Sequence, residues 1–557
     1  MTLWQEIKVH SEDRKLLIAF ISSGLVFMTI GLIFALLMLL VRTPALSILP
    51  ANLYYQAVTG HSFMMFIFWL SFIQSSFLIV TSTVLIQRRL WSYRLAWAGW
   101  AIMVLAAVLA LTGVLLGANV SYQALFPLSR QFPAAWLIYL SAVVLTLGMS
   151  LIVVDFVATI LSAVERKRSL TSWIAFLKRI PISTFAAIAG LFIAVPGLIA
   201  SFKVFLPAFL LSLGTAPIDP MVSNLYRMNW HIAFHIYHYI PALALVGVAY
   251  VLVEATTDAT SVYAKQVAKA LFLLYPFFVP PTFIYHLLVD PNLTYNVKFI
   301  GSSLALLVGV PTILHMFIIL GMLEARMRRA GYGFFNWLRH LPWRNPVFGS
   351  MVMAMITLFV GGLLSYILIQ EQLSPLLHNT FVVPAYVHAM VAGGANIMYM
   401  GALYYAVPVL LGRKLWGLGL ARIQPYFMGA ALVIMSIFGT GAGLAGVPRR
   451  YAILGADAPA SWSTWLNLSL GVGGMLAAIG LASFIVIMVM TMLRGAKVTT
   501  TEEAIKGTEA PPLPLKVEYG RTWVALIPSS VFIIIVLIIT LLVFGYLWGL
   551  PVRFQVR

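Results

Sequence analysis

Long apolar runs alternate with short polar or basic breaks along the whole chain. Runs long enough to span a bilayer, which takes about 20 residues, lie at about 15–41, 56–86, 92–117, 133–163, 181–213, 229–254, 266–289, 298–323, 347–370, 380–411, 425–446, 463–493 and 523–549. The pattern predicts an all-α integral membrane bundle of about thirteen transmembrane helices. Several runs exceed the minimum, which predicts tilt or extension past the hydrocarbon. No break is long enough to fold a soluble domain, so residues 1–557 read as a single membrane domain. The longest break, 497–521, holds Thr499-Thr500-Thr501, Glu502-Glu503 and Pro511-Pro512. It reads as a polar cytoplasmic linker before the last helix. Residues 1–15 carry both charge signs and lack a small-residue cleavage site, so no removed signal peptide is expected.

Composition agrees with this reading. The chain is 62% hydrophobic and 9% charged, against about 25% charged in soluble domains. Its net charge of +19 follows from topology rather than from nucleic-acid binding. With loops assigned alternately to the two sides, the N-terminal side holds 26 of the 35 Lys and Arg residues. That asymmetry predicts a cytoplasmic N-terminus in a multi-pass plasma-membrane protein. Cysteine is absent, which excludes disulfides, iron–sulfur clusters and thiolate metal sites. A secondary transporter is disfavoured, because no internal repeat or pair of interrupted half-helices marks a midplane site.

Within this topology, His61, His231, Tyr285, His286, His378, Tyr386, His388 and the pair Arg449-Arg450 all fall near the outer third of the bilayer. His235 joins the same layer, and His238 lies one turn deeper. Any one of these reads equally well as a buried histidine bonded to a carbonyl, or as an interfacial residue. A whole layer at one depth instead points to a metal or haem site, because an imidazole in hydrocarbon is costly. Tyr386 and His388 are two residues apart on a helix and project about 200° apart, so they would face different groups. His231 and His235, four apart, share a helix face. Tyr285-His286 would reach the same metal only from a helix end.

At these residues the chain resembles subunit I of the haem–copper oxidase superfamily, nearest its B-type, ba3-like branch. The stretches that carry the resemblance are 331–348 (GYGFFNWLRHLPWRNPVF), 378–384 (HNTFVVP), 447–451 (VPRRY) and 59–69 (TGHSFMMFIFW). The resemblance implies that His61 and His388 are the axial ligands of a low-spin haem, which then carries electrons and binds no gas. It implies that Arg449 and Arg450 contact haem propionates through charge-assisted bonds, lipid headgroups being the plainer partner. It places His378 and Asn379 near the propionates of a second haem. The expected partners are other subunits of a respiratory oxidase complex, including a subunit II-like electron-entry protein, with quinol or a small electron-carrier protein as donor and lipid around the bundle. No nucleic acid is expected.

The family's second site is altered. Where relatives read Gly-His-Phe-His, this chain reads Ala385-Tyr386-Val387-His388, so Tyr386 replaces the proximal histidine. Tyr285 replaces the first histidine of the His-His pair, leaving His286. Matching His231 to the copper-ligand histidine of the sixth helix takes a one-residue shift relative to Pro241. With that shift the family's tyrosine position becomes His235, where nitric oxide reductases carry glutamate. Two outcomes are open. In a rebuilt site, Tyr386 ligates iron, as tyrosinate does in catalase, and His231, His235 and His286 hold copper or another non-haem metal. Tyr386, His235 and Tyr285 are then the catalytic candidates. In an abandoned site, these side chains fill space, and a paralogue keeps only the low-spin haem for electron transfer or assembly. Tyr250, Glu254, Ser302, Ser303, Thr312 and His315 are polar candidates for a proton path along the sixth and eighth helices, but equally for interhelical hydrogen bonds. Met64-Met65 and residues 488–492 read as lipid-facing or core packing rather than as a cofactor box.

Overall fold

The structure is a computed structural model that describes residues 9–119, 133–164, 169–215, 224–259, 262–288, 293–332, 336–370, 373–450 and 459–509. The side chains of Tyr285, His235 and His238 lie outside the described residues, as do the linker beyond residue 509 and the thirteenth predicted span. Twelve helices among the described residues are long and apolar enough to cross a membrane. They are α1 (Ser11–Arg42), α2 (Asn52–Ser82), α3 (Tyr93–Leu115), α4 (Ala135–Ala163), α5 (Ile182–Ser212), α6 (Asn224–Thr257), α7 (Lys265–Ile284), α8 (Tyr295–Arg329), α9 (Pro346–Ile369), α10 (Val382–Leu411), α11 (Leu418–Leu444) and α12 (Ala460–Arg494). Each overlaps one of the first twelve predicted spans. No strand occurs among the described residues, only the isolated bridges Thr380–Pro448 and Arg413–Lys497.

Burial orders the bundle. Inside the protein lies 78% of the most apolar stretch of α6 and 72% of those of α2 and α10, against 33% for α8 and 39% for α3 and α7. The three central helices are therefore α2, α6 and α10, and all three carry residues of the predicted layer. Close helix contact depends on small residues, as is general in membranes. A Cβ on Gly31 of α1 would lie 2.3 Å from Met65 Cγ on α2.

Several elements are less regular than the sequence predicts. Proline at 276, 280 and 281 interrupts α7, since proline cannot donate to the ladder and crowds the preceding turn. The chain there runs through Tyr275–Phe278 into a 3₁₀ segment, Pro280–Leu287. Three spans widen into π-helix, at Ser62–Trp69, His388–Asn396 and Asn467–Gly474. Such stretches are rare and concentrate at functional sites. Helix α2 starts at Asn52, four residues before the predicted run. His61 is therefore over two turns into the helix rather than one.

Candidate functional site

His61 closes the regular first part of α2 and opens its π segment. His388 occupies the same place in α10, after Val382–Val387. Their rings face each other with centroids 6.2 Å apart and planes within 5°. Each Nδ1 meets a backbone carbonyl: Gly31 at 3.1 Å for His61 and Pro384 at 2.7 Å for His388. A carbonyl only accepts, so both imidazoles carry the proton on Nδ1 and keep the Nε2 lone pair for another partner. Carbonyl partners that fix tautomer and ring angle in this way are the rule for metal-ligating histidines. An imidazole–metal–imidazole axis with metal–nitrogen bonds of about 2 Å spans about 6 Å between ring centres, the separation seen here.

Both rings line a cavity of about 270 Å³. Its walls come from α1, α2, α10, α11 and α12, and include Leu470 and Gly474 of the third π segment. Met65, expected as packing, forms part of the wall. Arg42, Arg449 and Arg450 also line the cavity, and no carboxylate does among the described residues. The cavity thus joins an apolar body, two imidazoles and three guanidiniums, a donor set that fits a flat metal macrocycle bearing carboxylates. Trp69 Nε1–H donates to Asn396 Oδ1 at 2.9 Å and ties the ends of the two ligand-bearing π segments together.

Short loop contacts cap this end of the bundle. Phe381 N–H donates to the Val447 carbonyl, and Arg449 N–H to the Asn379 carbonyl, each at 2.8 Å. The Arg449-Arg450 pair is thereby held beside the segment that leads into α10.

The remaining layer residues form a second group. The His231 ring lies 5.2 Å from that of His286, nearly parallel to it. His286 Nδ1 and His378 Nε2 are 2.9 Å apart, with one nitrogen donating to the other. Burial, with the Arg449 guanidinium next, lowers the pKa of His378 to about 3, so this imidazole is neutral. Tyr386 is not in the cavity wall. It packs in a separate apolar cluster with Leu288, Ala305, Leu368, Ile369 and Val383. Among the described residues, no three His, Asp or Glu side chains converge as a metal site requires. The trio His231, His235 and His286 cannot be assembled from them, because the His235 side chain lies outside the described residues.

Of the polar residues considered for a proton path, Tyr250 Oη and His315 Nδ1 are 2.9 Å apart across α6 and α8. Thr312 pairs with Tyr275 of α7 at 2.8 Å, a residue the sequence did not single out. Glu254 pairs with Lys265 at 3.6 Å. These contacts join α6 to α8, α8 to α7 and α6 to α7. Arg42, Tyr54, Trp69 and Asn396 were also missed. Arg42 directly abuts an apolar run, where nothing in the sequence separates it from an interfacial charge. Tyr54 preceded the predicted start of α2.

Comparison with known proteins decides the family. The family "Cytochrome C and Quinol oxidase polypeptide I" matches residues 15–476. The chain belongs to the haem–copper oxidase subunit I family. Cytochrome c oxidase subunit 1 of Thermus thermophilus is 32% identical over 240 residues, 42% of this chain and 41% of that relative. The match thus spans under half the relative's length. The Cereibacter sphaeroides subunit 1 is 29% identical over 142 residues, 25% of this chain and 24% of that one. The fold is also that of a solved haem–copper terminal oxidase dimer, with a TM-score of 0.77 at 21% identity over 97% of this chain and 92% of that one. Proteins of the haem–copper oxidase family bind haems and copper, and this chain shares their multi-pass helical architecture.

Proposed function

We propose that the chain is the subunit I-like, haem-bearing component of a respiratory terminal oxidase complex, of the B-type branch, in the plasma membrane with its N-terminus cytoplasmic. Its electrons come from a subunit II-like partner, from quinol or from a small carrier protein. The observation that carries the reading is the His61–His388 pair: parallel rings 6.2 Å apart, each with Nδ1 on a carbonyl, facing one cavity. A haem bound there supplies one-electron chemistry. His61 and His388 would be the residues that hold its iron, and a haem so held would carry electrons rather than bind gas. Arg449 and Arg450, which line the same cavity, would hold its carboxylates, a task that suits arginine better than lysine. The apolar wall keeps water from the ring.

The family-level reaction is reduction of oxygen to water at a second haem and copper. In this chain the proximal-histidine position is Tyr386, which packs apart from the grouped rings of His231, His286 and His378. A second reading is therefore a non-catalytic paralogue that keeps the low-spin haem alone, for electron transfer or assembly. The burial of Tyr386 in an apolar cluster favours it.

Haem and metal analysis of the purified protein with optical spectroscopy separates the two. Two haems, one binding carbon monoxide when reduced, together with a stoichiometric metal indicate an oxidase. One six-coordinate haem indifferent to carbon monoxide indicates the paralogue. His388→Ala is expected to abolish the six-coordinate spectrum in either case. Persistence of that spectrum in the variant would falsify the ligand assignment.

A further inference from the structure

Four spans return the chain to the side of the membrane from which it started, and there a ten-residue helix, Leu170–Arg179, joins α4 to α5. Ser169 caps its start, the hydroxyl accepting from Ser172 N–H at 3.1 Å. Spacing divides its residues. Trp173, Phe176 and Leu177, with Ile180 just beyond, fall at i, i+3, i+4 and i+7 and pack on the bundle. The Trp173 and Phe176 rings meet edge to face. Leu170 and Ile174 form an apolar flank that is 76% and 44% exposed. Lys178 and Arg179 bracket the outward face, on which Thr171 and Ala175 also lie, all four exposed. The C-terminal end is held by Lys269 of α7, itself only 5% exposed. Its Nζ donates to the carbonyls of Leu177 and Lys178, each at 2.9 Å, and lies 5.9 Å from the Phe185 ring centroid. A cation there satisfies the terminal carbonyls and the negative pole of the helix. The helix is thereby fixed to α5 and α7 without the side chains of Lys178 and Arg179, neither of which forms an ion pair among the described residues.

The geometry points to a binding site for an anionic phospholipid on this helix, with acyl chain along Leu170 and Ile174 and phosphate headgroup at Lys178 and Arg179. Two observations select that occupant. The helix joins the ends of two spans, so it lies at the membrane boundary, where an amphipathic helix sinks its apolar side among acyl chains and keeps its basic side at the headgroups. Its charge is complementary to such a lipid: residues 165–179 hold five Lys and Arg against one Glu. A basic residue beside the membrane surface favours an anionic over a neutral lipid by about fivefold. The bundle face of the helix is already filled, and the exposed flank and basic pair remain for the lipid. The site is independent of the haem reading above, since only the order of the spans places it.

The chain has no cysteine, so Ala175→Cys on the outward face gives a single attachment point for a bimane fluorophore. The labelled full chain, reconstituted in phosphatidylcholine vesicles, is titrated with spin-labelled phosphatidylglycerol or spin-labelled phosphatidylcholine as quencher. Phosphatidylglycerol is expected to reach half-quenching at a mole fraction about fivefold lower. Lys178→Gln combined with Arg179→Gln is expected to bring the two lipids to parity. The same exchange at Arg494 and Lys497, exposed at the end of α12 on the same side, is expected to leave the preference intact. Equal quenching by both lipids before any charge is removed overturns the inference, and so does a preference that survives Lys178→Gln with Arg179→Gln. Equal loss in both charge variants also overturns it, because the selectivity then belongs to the surface as a whole. Quenching by neither lipid puts water or a partner protein on this face and counts against the site in the same way. Inorganic phosphate is expected to displace phosphatidylglycerol no better than sodium chloride of equal ionic strength. Specific displacement by phosphate would assign the basic pair to the free ion and refute the lipid site.

Discussion

Between α2 and α10, Trp69 Nε1–H finds its acceptor in Asn396. Removing that acceptor leaves a buried donor in a place without water. Interhelical hydrogen bonds in membranes contribute about 0.6 kcal/mol on average, and orphaning a buried partner costs about 1–3 kcal/mol. Asn396→Leu is thus expected to destabilise the bundle by about 1 kcal/mol and to alter the angle between the two imidazole planes. Denaturant titration in detergent checks the first effect, and electron paramagnetic resonance of the low-spin haem checks the second. His61 and His388 were legible in the sequence because an imidazole within an apolar run stands out against its neighbours. Arg42 and Asn396 were not. A charge at the end of a span and an amide within one have common lipid-facing or helix-bonding explanations, and only packing separates these from a pocket role.

The π segments are the part of each helix that sequence periodicity leaves unstated. The hydropathy of an apolar run does not distinguish an i→i+4 from an i→i+5 ladder, so the wider turns at Ser62–Trp69 and His388–Asn396 become visible only in the folded structure. The break in α7 was not predicted, although its signal stands in the sequence as three prolines within six residues. Approach of α1 to α2 depends on Gly31, whose carbonyl also orients His61. Gly31→Val is expected to push Met65 and α1 apart and release the His61 ring, lowering haem per protein. Gly362→Ala, where an added Cβ meets nothing within 4 Å, is expected to keep full haem content. Pyridine haemochrome assay of both variants provides the comparison.

For the whole molecule, the number and order of the first twelve spans were readable from hydropathy alone, because lipid enforces long apolar helices. Which helices lie innermost was only partly readable, through the costly side chains on α2, α6 and α10. Orientation rests on the Lys and Arg asymmetry, and the absence of cysteine makes it simple to test. In intact cells, Ala45→Cys in the loop between α1 and α2 is expected to react with a membrane-impermeant maleimide. Thr499→Cys, after α12, is expected to react only once the cells are opened. The reverse pattern would invert the topology.

The closure of the pocket by Arg42, Phe381 and the loop at residues 447–450 also has a bearing on biogenesis. His61 emerges from the ribosome early, His388 more than three hundred residues later, and the Arg449-Arg450 pair later still. No partial chain can therefore offer a finished receptacle. If the pocket takes a haem as proposed above, its delivery has to wait until all but the final part of the polypeptide has entered the bilayer.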